Sequence, residues 1–424
     1  TVYSDNIKYR FGNNESIFMK ILSVRTFYEF SMHFMFNYDL NFSWTYPLGF
    51  EKMMKLLLDY GADIHTKNDL GENILVSLAF RHIDLNMYRW VLDCDVDPNN
   101  CDNRGNSVLS QIVSGNNRQG FDAVVRINVY SYIRSYVELL LEYDANINST
   151  NIYQMTPLFH SIDNTELFML LIKHGANVMA TDDHDNNLLM HVCRNLKDIN
   201  ALEMVKFLLN NYAFDINKQN KYGETALILT LHANRSHELV IFLLENGSDV
   251  NKSMNNGINP LMLAVYYHYP LKIIELSLEM SSHVNQQTET GESALFFALY
   301  GCGSIKICFD ESRGYYISGF NNNIIEIVKL LLAYDANPNL TNDKGMTPIM
   351  YLFHGIFQTI KNSSLGSEVA FEPDYTSSLI SLCQLLLDHG ANFYHVDNTG
   401  QTLMDYAKIL PNVHAELINF LENL

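Results

Sequence analysis

Residues 330–349 read LLLAYDANPNLTNDKGMTPI. The leucine triplet Leu330–Leu332 closes a helical pattern whose apolar stripe must be covered. Asp335 and Ala336 follow, in a place where a left-handed C-cap tolerates few residues. Asn339 to Asn342 lead outward, Gly345 allows a tight turn, and Thr347-Pro348-Ile349 opens a new helix with a capping hydroxyl and a first-turn proline. One segment thus predicts a helix end, a projecting finger and a helix start.

The same junction recurs. It appears as LLLDYGADIHTKNDLGENIL from Leu56, LLLEYDANINSTNIYQMTPL from Leu139, FLLENGSDVNKSMNNGINPL from Phe242 and LLLDHGANFYHVDNTGQTLM from Leu385. Weaker copies open at Trp90, Leu170, Leu208 and Leu276, which makes nine with that at Leu330. The starts at 56 and 90, 208 and 242, and 242 and 276 are each 34 residues apart. Left-handed C-caps are expected at Gly61, Gly175, Gly247 and Gly390, and turn glycines at 71, 105, 223, 257, 291, 345 and 400. Gln154 and Asp185 stand at the turn-glycine place in two copies, and Ser281-Ser282-His283 replaces the usual Gly-Ala-Asp. Such a unit cannot bury its own apolar face, so neighbours must stack.

On these residues, from about 15 to the end of the chain, the sequence resembles the ankyrin-repeat family, whose period is about 33 residues. The resemblance implies an all-α solenoid of about nine to ten repeats with short β-hairpin fingers. Residues 1–50 are expected to be N-terminal capping helices, 51–401 the array, and 402–424 a C-terminal capping helix pair. Insertions between the two helices of a repeat fall near 114–130, 301–322 and 354–376, and should emerge on one edge. Leu410-Pro411 with Glu416-Leu417-Ile418 faintly resembles the start of an F-box, but the cap is the simpler reading.

The family also implies function. Its members commonly bind proteins through finger tips and the first helix of each pair, so this chain reads as a non-catalytic scaffold or adaptor. The alternatives are the substrate-recognition module of a ubiquitin ligase or the regulatory part of a longer enzyme. Tyr153 and Tyr222 stand on finger turns. Five places past the helix-opening Leu or Ile, a slot facing the groove, stand Phe80, Asp163, Arg194, His232, Tyr266, Tyr300 and His354, with Tyr267 next to Tyr266. Aromatic side chains bury large areas at low entropic cost. The expected contact residues are therefore Phe80, Tyr153, Tyr222, Tyr266, Tyr267, Tyr300 and His354. The family further makes Asn148, Asn217, Asn251, Asn285 and Asn339 positions that an asparaginyl hydroxylase can modify; physically, an Asn there is expected to bond the neighbouring finger.

Composition narrows the classes. With 47% hydrophobic and 18% charged residues the chain should fold. A formal charge of −19 argues against nucleic acid. The charge is unevenly placed: the ten residues from each junction start hold thirteen acids against Lys173 alone, whereas the finger tips carry seven acids and six bases. No apolar run of about 18 residues, the length of a spanning helix, occurs. No basic stretch followed by an apolar run opens the chain. The six cysteines form no CxxC, fitting a reducing compartment. The expected setting is the cytoplasm, a host cytosol if the source is viral; irregular spacing and Asn/Tyr/Ile-rich composition resemble ankyrin proteins of large DNA viruses or AT-rich microbes. A monomer is expected, with no cofactor. Gly301-Cys302-Gly303 starts like a dinucleotide loop, but Lys306 stands where a third glycine belongs. Asp182-Asp183-His184-Asp185 falls on a finger turn, where acidic residues serve the backbone rather than a metal.

Overall fold

The computed structural model describes residues 63–79, 85–114, 123–196, 198–233, 236–281, 283–301, 306–310, 314–318, 322–362, 370–371, 373–410 and 415–424, with Lys55, Leu58 and Asp59. The expected N-terminal cap at 1–50 lies outside them, as does Phe80. The chain divides into two compact units, Thr1–Asp183 and His184–Leu424.

In the first unit, helices α1 (Ile74–Ala79), α2 (Leu85–Asp93), α3 (Val108–Ser114), α4 (Ala123–Glu142), α5 (Pro157–His160) and α6 (Thr165–Lys173) form three pairs. The helix after each finger, here called inner, packs on the next inner helix, α1 on α3 and α3 on α5. The outer helix α2 packs likewise on α4. The second unit repeats this with α7 (Leu188–Asn195), α8 (Asp198–Asn211), α9 (Ala226–His232), α10 (His237–Glu245), α11 (Pro260–Tyr266), α12 (Leu271–Met280) and α13 (Ala294–Gly301). It continues through α14 (Asn322–Ala333), α15 (Pro348–Asn362), α16 (Pro373–Asp388), α17 (Leu403–Ile409) and α18 (Ala415–Glu422). Its inner helices contact in series from α7 to α17, and its outer helices from α8 to α18.

Helix α14 explains why these segments fold in this way. Ile324, Ile327, Val328, Leu331 and Leu332 are buried, at the i, i+3, i+4, i+7, i+8 spacing of one helical face. Each such side chain contributes roughly 1.5–3 kcal/mol as an upper estimate. The helix ends because Asp335 turns left-handed at φ 62°. Asp335 then donates to the Leu332 carbonyl, and Ala336 to that of Leu331 at 3.0 Å. This is the paired-bond C-cap, and the buried Ala336 supplies its apolar contact. Gly175 with Ala176, and Gly390 with Ala391, repeat the geometry.

The inner helices open as expected at Thr225, whose hydroxyl accepts the Ile228 N–H, and at Thr402, which forms a capping box with Asp405. Asn187 and Asn259 do the same through their side-chain carbonyls. The Thr-Pro starts, which promised the clearest caps, depart from this. The Thr156 and Thr347 hydroxyls are buried without a hydrogen-bond partner among the described residues.

The segments near 301–322 and 354–376 contribute to one three-stranded sheet that the sequence did not announce. Strands β1 (Lys306–Asp310) and β2 (Gly314–Ser318) pair antiparallel, with Cys308 opposite Tyr316. The two-residue β3 (Ala370–Phe371) then runs parallel to β2, setting Ile317 beside Phe371.

Candidate functional site

Most fingers are built around one polar side chain at the first turn position; where Met254 stands there, Asn256 Oδ1 accepts the Ile258 N–H instead, at 3.2 Å. Asn151 Oδ1 accepts the N–H groups of Tyr153 and Met155, both at 3.0 Å, while the Asn151 N–H donates to the Met155 carbonyl. Asn220, Asn342 and Asp397 use the same pair of contacts. The fourth position is left-handed: Gly223 has φ 77° and Gly345 φ 73°. Gln154 (φ 55°) and Asp185 (φ 63°) adopt the same conformation without glycine, so the side-chain bonds hold the turn against a cost of about 1–2 kcal/mol.

Finger joins finger through the backbone. In the first unit the carbonyls of Leu70, Arg104 and Tyr153 accept from Asn103, Ile152 and Asp183. In the second unit the carbonyl of Tyr222 accepts from Asn255, and those of Asn256, Thr290 and Lys344 accept from Glu289, Asp343 and Asn398. A second set of links lies at the finger bases. Asn217 Oδ1 accepts the Asp249 N–H at 2.7 Å, and its Nδ2 donates to the Gly247 carbonyl at 2.9 Å. Asn148, Asn285 and Asn339 make the same two bonds to the following repeat. Asn99, which the sequence reading passed over, bonds Asn146 and Asp144 likewise. Asn251 faces the irregular Ser281–His283 stretch, and its Oδ1 meets Ser281 Oγ at 3.3 Å and His283 Nδ1 at 3.0 Å.

This frame holds the expected contact residues. Tyr153, in the first unit, is 48% exposed on its finger tip. In the second unit Tyr222 is 50% exposed, and its ring lies 5.3 Å from that of His184. Tyr266 and Tyr267 end α11 as a T-shaped pair with ring centroids 5.0 Å apart. Tyr267 reaches the His232 ring of α9 at 6.2 Å, and Tyr266 reaches Phe297 of α13, also at 6.2 Å. Burial pushes the Tyr267 phenol above its ordinary pKa, with Tyr266 adding to it. His354 sits apart on α15, edge-on to Tyr406 at 5.6 Å; burial, then Lys344, lowers its pKa. Tyr300 lies in α13, but its side chain is outside the described residues.

The geometry therefore joins Tyr266 and Tyr267 into one row, His232–Tyr267–Tyr266–Phe297, half-buried except for the exposed His232, across three successive inner helices. The reading by slot missed Phe297, which stands three residues before Tyr300 and so on the same helix face. That i, i+3 relation was the available signal. Among the described residues no three His, Cys, Asp or Glu side chains are grouped to hold a metal, and no helix is long and apolar enough to cross a membrane.

Sequence comparison with known proteins agrees with this architecture. The family model for ankyrin repeats matches residues 127–220 and 189–288. An ankyrin repeat protein of Acanthamoeba polyphaga mimivirus, L91, is 36% identical over 137 residues, 28% of this chain and 21% of that protein. The variola virus ankyrin repeat protein OPG189 is 23% identical over 199 residues, 47% of this chain and 32% of the relative. The chain thus spans a third or less of the length of these relatives. Among solved structures, the ankyrin repeat domain of Bcl-3 aligns at 24% identity with a TM-score of 0.40, covering 57% of this chain and 92% of that one. Residues 127–288 thus match the ankyrin-repeat family, and the fingers and capped helix pairs on either side of them follow the same plan.

Proposed function

We propose that this chain is a non-catalytic adaptor that binds a partner protein through the inner-helix face of its second unit. The observation that carries the reading is the row His232–Tyr267–Tyr266–Phe297. Four rings from three helices are only half-buried or exposed, although the apolar residues around them are packed in the core. Aromatic rows of this kind supply much of the binding energy of protein interfaces, because they bury area with few torsions to freeze. Tyr222 extends the surface at a finger tip, and His354 serves as an outlying contact. Ankyrin repeats are protein-interaction modules, which supports the class of partner. A reducing compartment suits the free Cys94, Cys101, Cys193 and Cys383, and a host cytosol suits the viral relatives. We read the working form as a monomer.

The test is affinity capture with the intact chain and with Tyr266→Ala/Tyr267→Ala, both checked by circular dichroism. A partner held by the first and lost by the second supports the reading. A partner held equally by both contradicts it.

A further inference from the structure

The charge of the molecule is divided between its two helix layers in a way that selects a partner. The inner helices of the second unit from α7 to α15 carry no Asp or Glu. Their solvent-reaching positions hold the cations Arg194 and, at the end of α15, Lys361, the imidazoles His191, His232 and His354, and mostly aromatic or amide side chains. The outer helices present Glu203, Glu238, Glu245, Glu275, Glu279 and Asp388 at exposed positions. A chain of net charge −19 has thus kept its carboxylates off the surface that bears the aromatic row.

Local helix physics accounts for only part of this. A cation near a helix C-terminus is stabilised by the helix dipole, which suits Arg194 at the end of α7. The dipole does not explain why α11 ends instead in two tyrosines. Nor does it explain the lack of carboxylates at the half-buried mid-helix places of the 15-residue α15.

We infer that this face takes an acidic, aromatic-bearing segment of a partner protein, an inference that rests on the adaptor reading above. Carboxylates of the segment would meet the Arg194 guanidinium and the Tyr266 and Tyr267 hydroxyls, where charge-assisted bonds are strong and an arginine can be bidentate. Its aromatic side chains would lie on the ring row. A basic segment finds its complement on the outer layer instead.

The test measures fluorescence anisotropy of labelled poly(Glu,Tyr), poly(Lys,Tyr) and oligothymidylate with the full chain. The variants are Arg194→Glu/His232→Glu, the neutral Arg194→Gln/His232→Gln, and Lys329→Glu on the outer helix α14 as control. Poly(Glu,Tyr) is expected to bind, to weaken about tenfold or more with the charge reversal and less with the neutral pair. It should be unaffected by Lys329→Glu. Absence of poly(Glu,Tyr) binding overturns the inference, as does binding indifferent to the reversal or preferential binding of oligothymidylate. Poly(Lys,Tyr) binding that Tyr266→Ala/Tyr267→Ala abolishes would also end it while leaving the groove reading intact. A natural partner indifferent to the tyrosine pair would end both.

Discussion

Asn339 and Asn392 are 53 residues apart in sequence and joined by a 2.7 Å hydrogen bond, the Asn392 N–H donating to Asn339 Oδ1. The other half of the same amide donates to the Gly390 carbonyl at 2.8 Å. One side chain therefore ties a finger to the helix end of the next repeat. Asn339→Ala should lower stability by about 1–2 kcal/mol, since two partly exposed bonds are lost. Urea unfolding checks this, and a midpoint unchanged from the parent would show that the ladder is decorative.

Gly345 and Gly400 have nearly the same backbone, φ 73° and 82°, yet different neighbours. A Cβ on Gly345 would stand 2.5 Å from Asn398 Oδ1 and 2.9 Å from its backbone nitrogen, whereas one on Gly400 would meet nothing within 4 Å. Gly400→Ala should cost only the left-handed strain, about 1–2 kcal/mol. Gly345→Ala must in addition push a finger aside and should cost about 1 kcal/mol or more beyond that. Equal losses in thermal unfolding would contradict close stacking of the fingers.

Much of this was legible in the sequence because the period is local. Leu330–Leu332, Asp335, Asn339 and Gly345 each have a fixed place and a single physical task, so one segment predicted the helix end, its cap, the interfinger bond and the turn. The sheet was not legible: β3 at Ala370–Phe371 pairs with β2 across more than one repeat, and no short-range pattern records such a pairing. The Thr156 and Thr347 caps were misread because a Thr-Pro dipeptide marks a helix start without requiring the hydroxyl to bond. In the aromatic row, the places of Tyr266 and Tyr267 were legible from their slot. Phe297 was not, because one more aromatic in the apolar run of α13 looks like core.

Asp397 gives a pH signature. Burial alone would raise its pKa, but hydrogen bonds from the Tyr406 hydroxyl, Gln401 and Thr399 outweigh that and bring it to about 2, below the ordinary 3.8. A carboxyl depressed in the folded state stabilises it above the unfolded pKa, and that contribution is lost as pH falls from about 4 to about 2. Tyr406→Phe removes the 2.6 Å bond and should shrink the acid limb of the stability curve in that window. An unaltered limb would mean that Asp397 is held by its own finger alone.

The cysteines should separate by depth. Burial raises the thiols of Cys193 and Cys383 to about 12, while Cys101 is exposed. Because the thiolate is the reactive form, a disulfide reagent at neutral pH should modify Cys101 in the native chain. Cys193 and Cys383 should react only on unfolding, as peptide mapping by mass spectrometry would show. Rapid native labelling of Cys193 would contradict the packing of α7.

The central claim is that the aromatic row on the inner helices meets the partner. It is tested most directly by placing the photo-cross-linker p-benzoylphenylalanine at position 267, on the row, or at position 271, on the outer helix α12, where Leu271 is 41% exposed. The account predicts a discrete partner adduct from position 267 and none from position 271 after irradiation with the host extract. The same adduct from position 271, with none from 267, would contradict it.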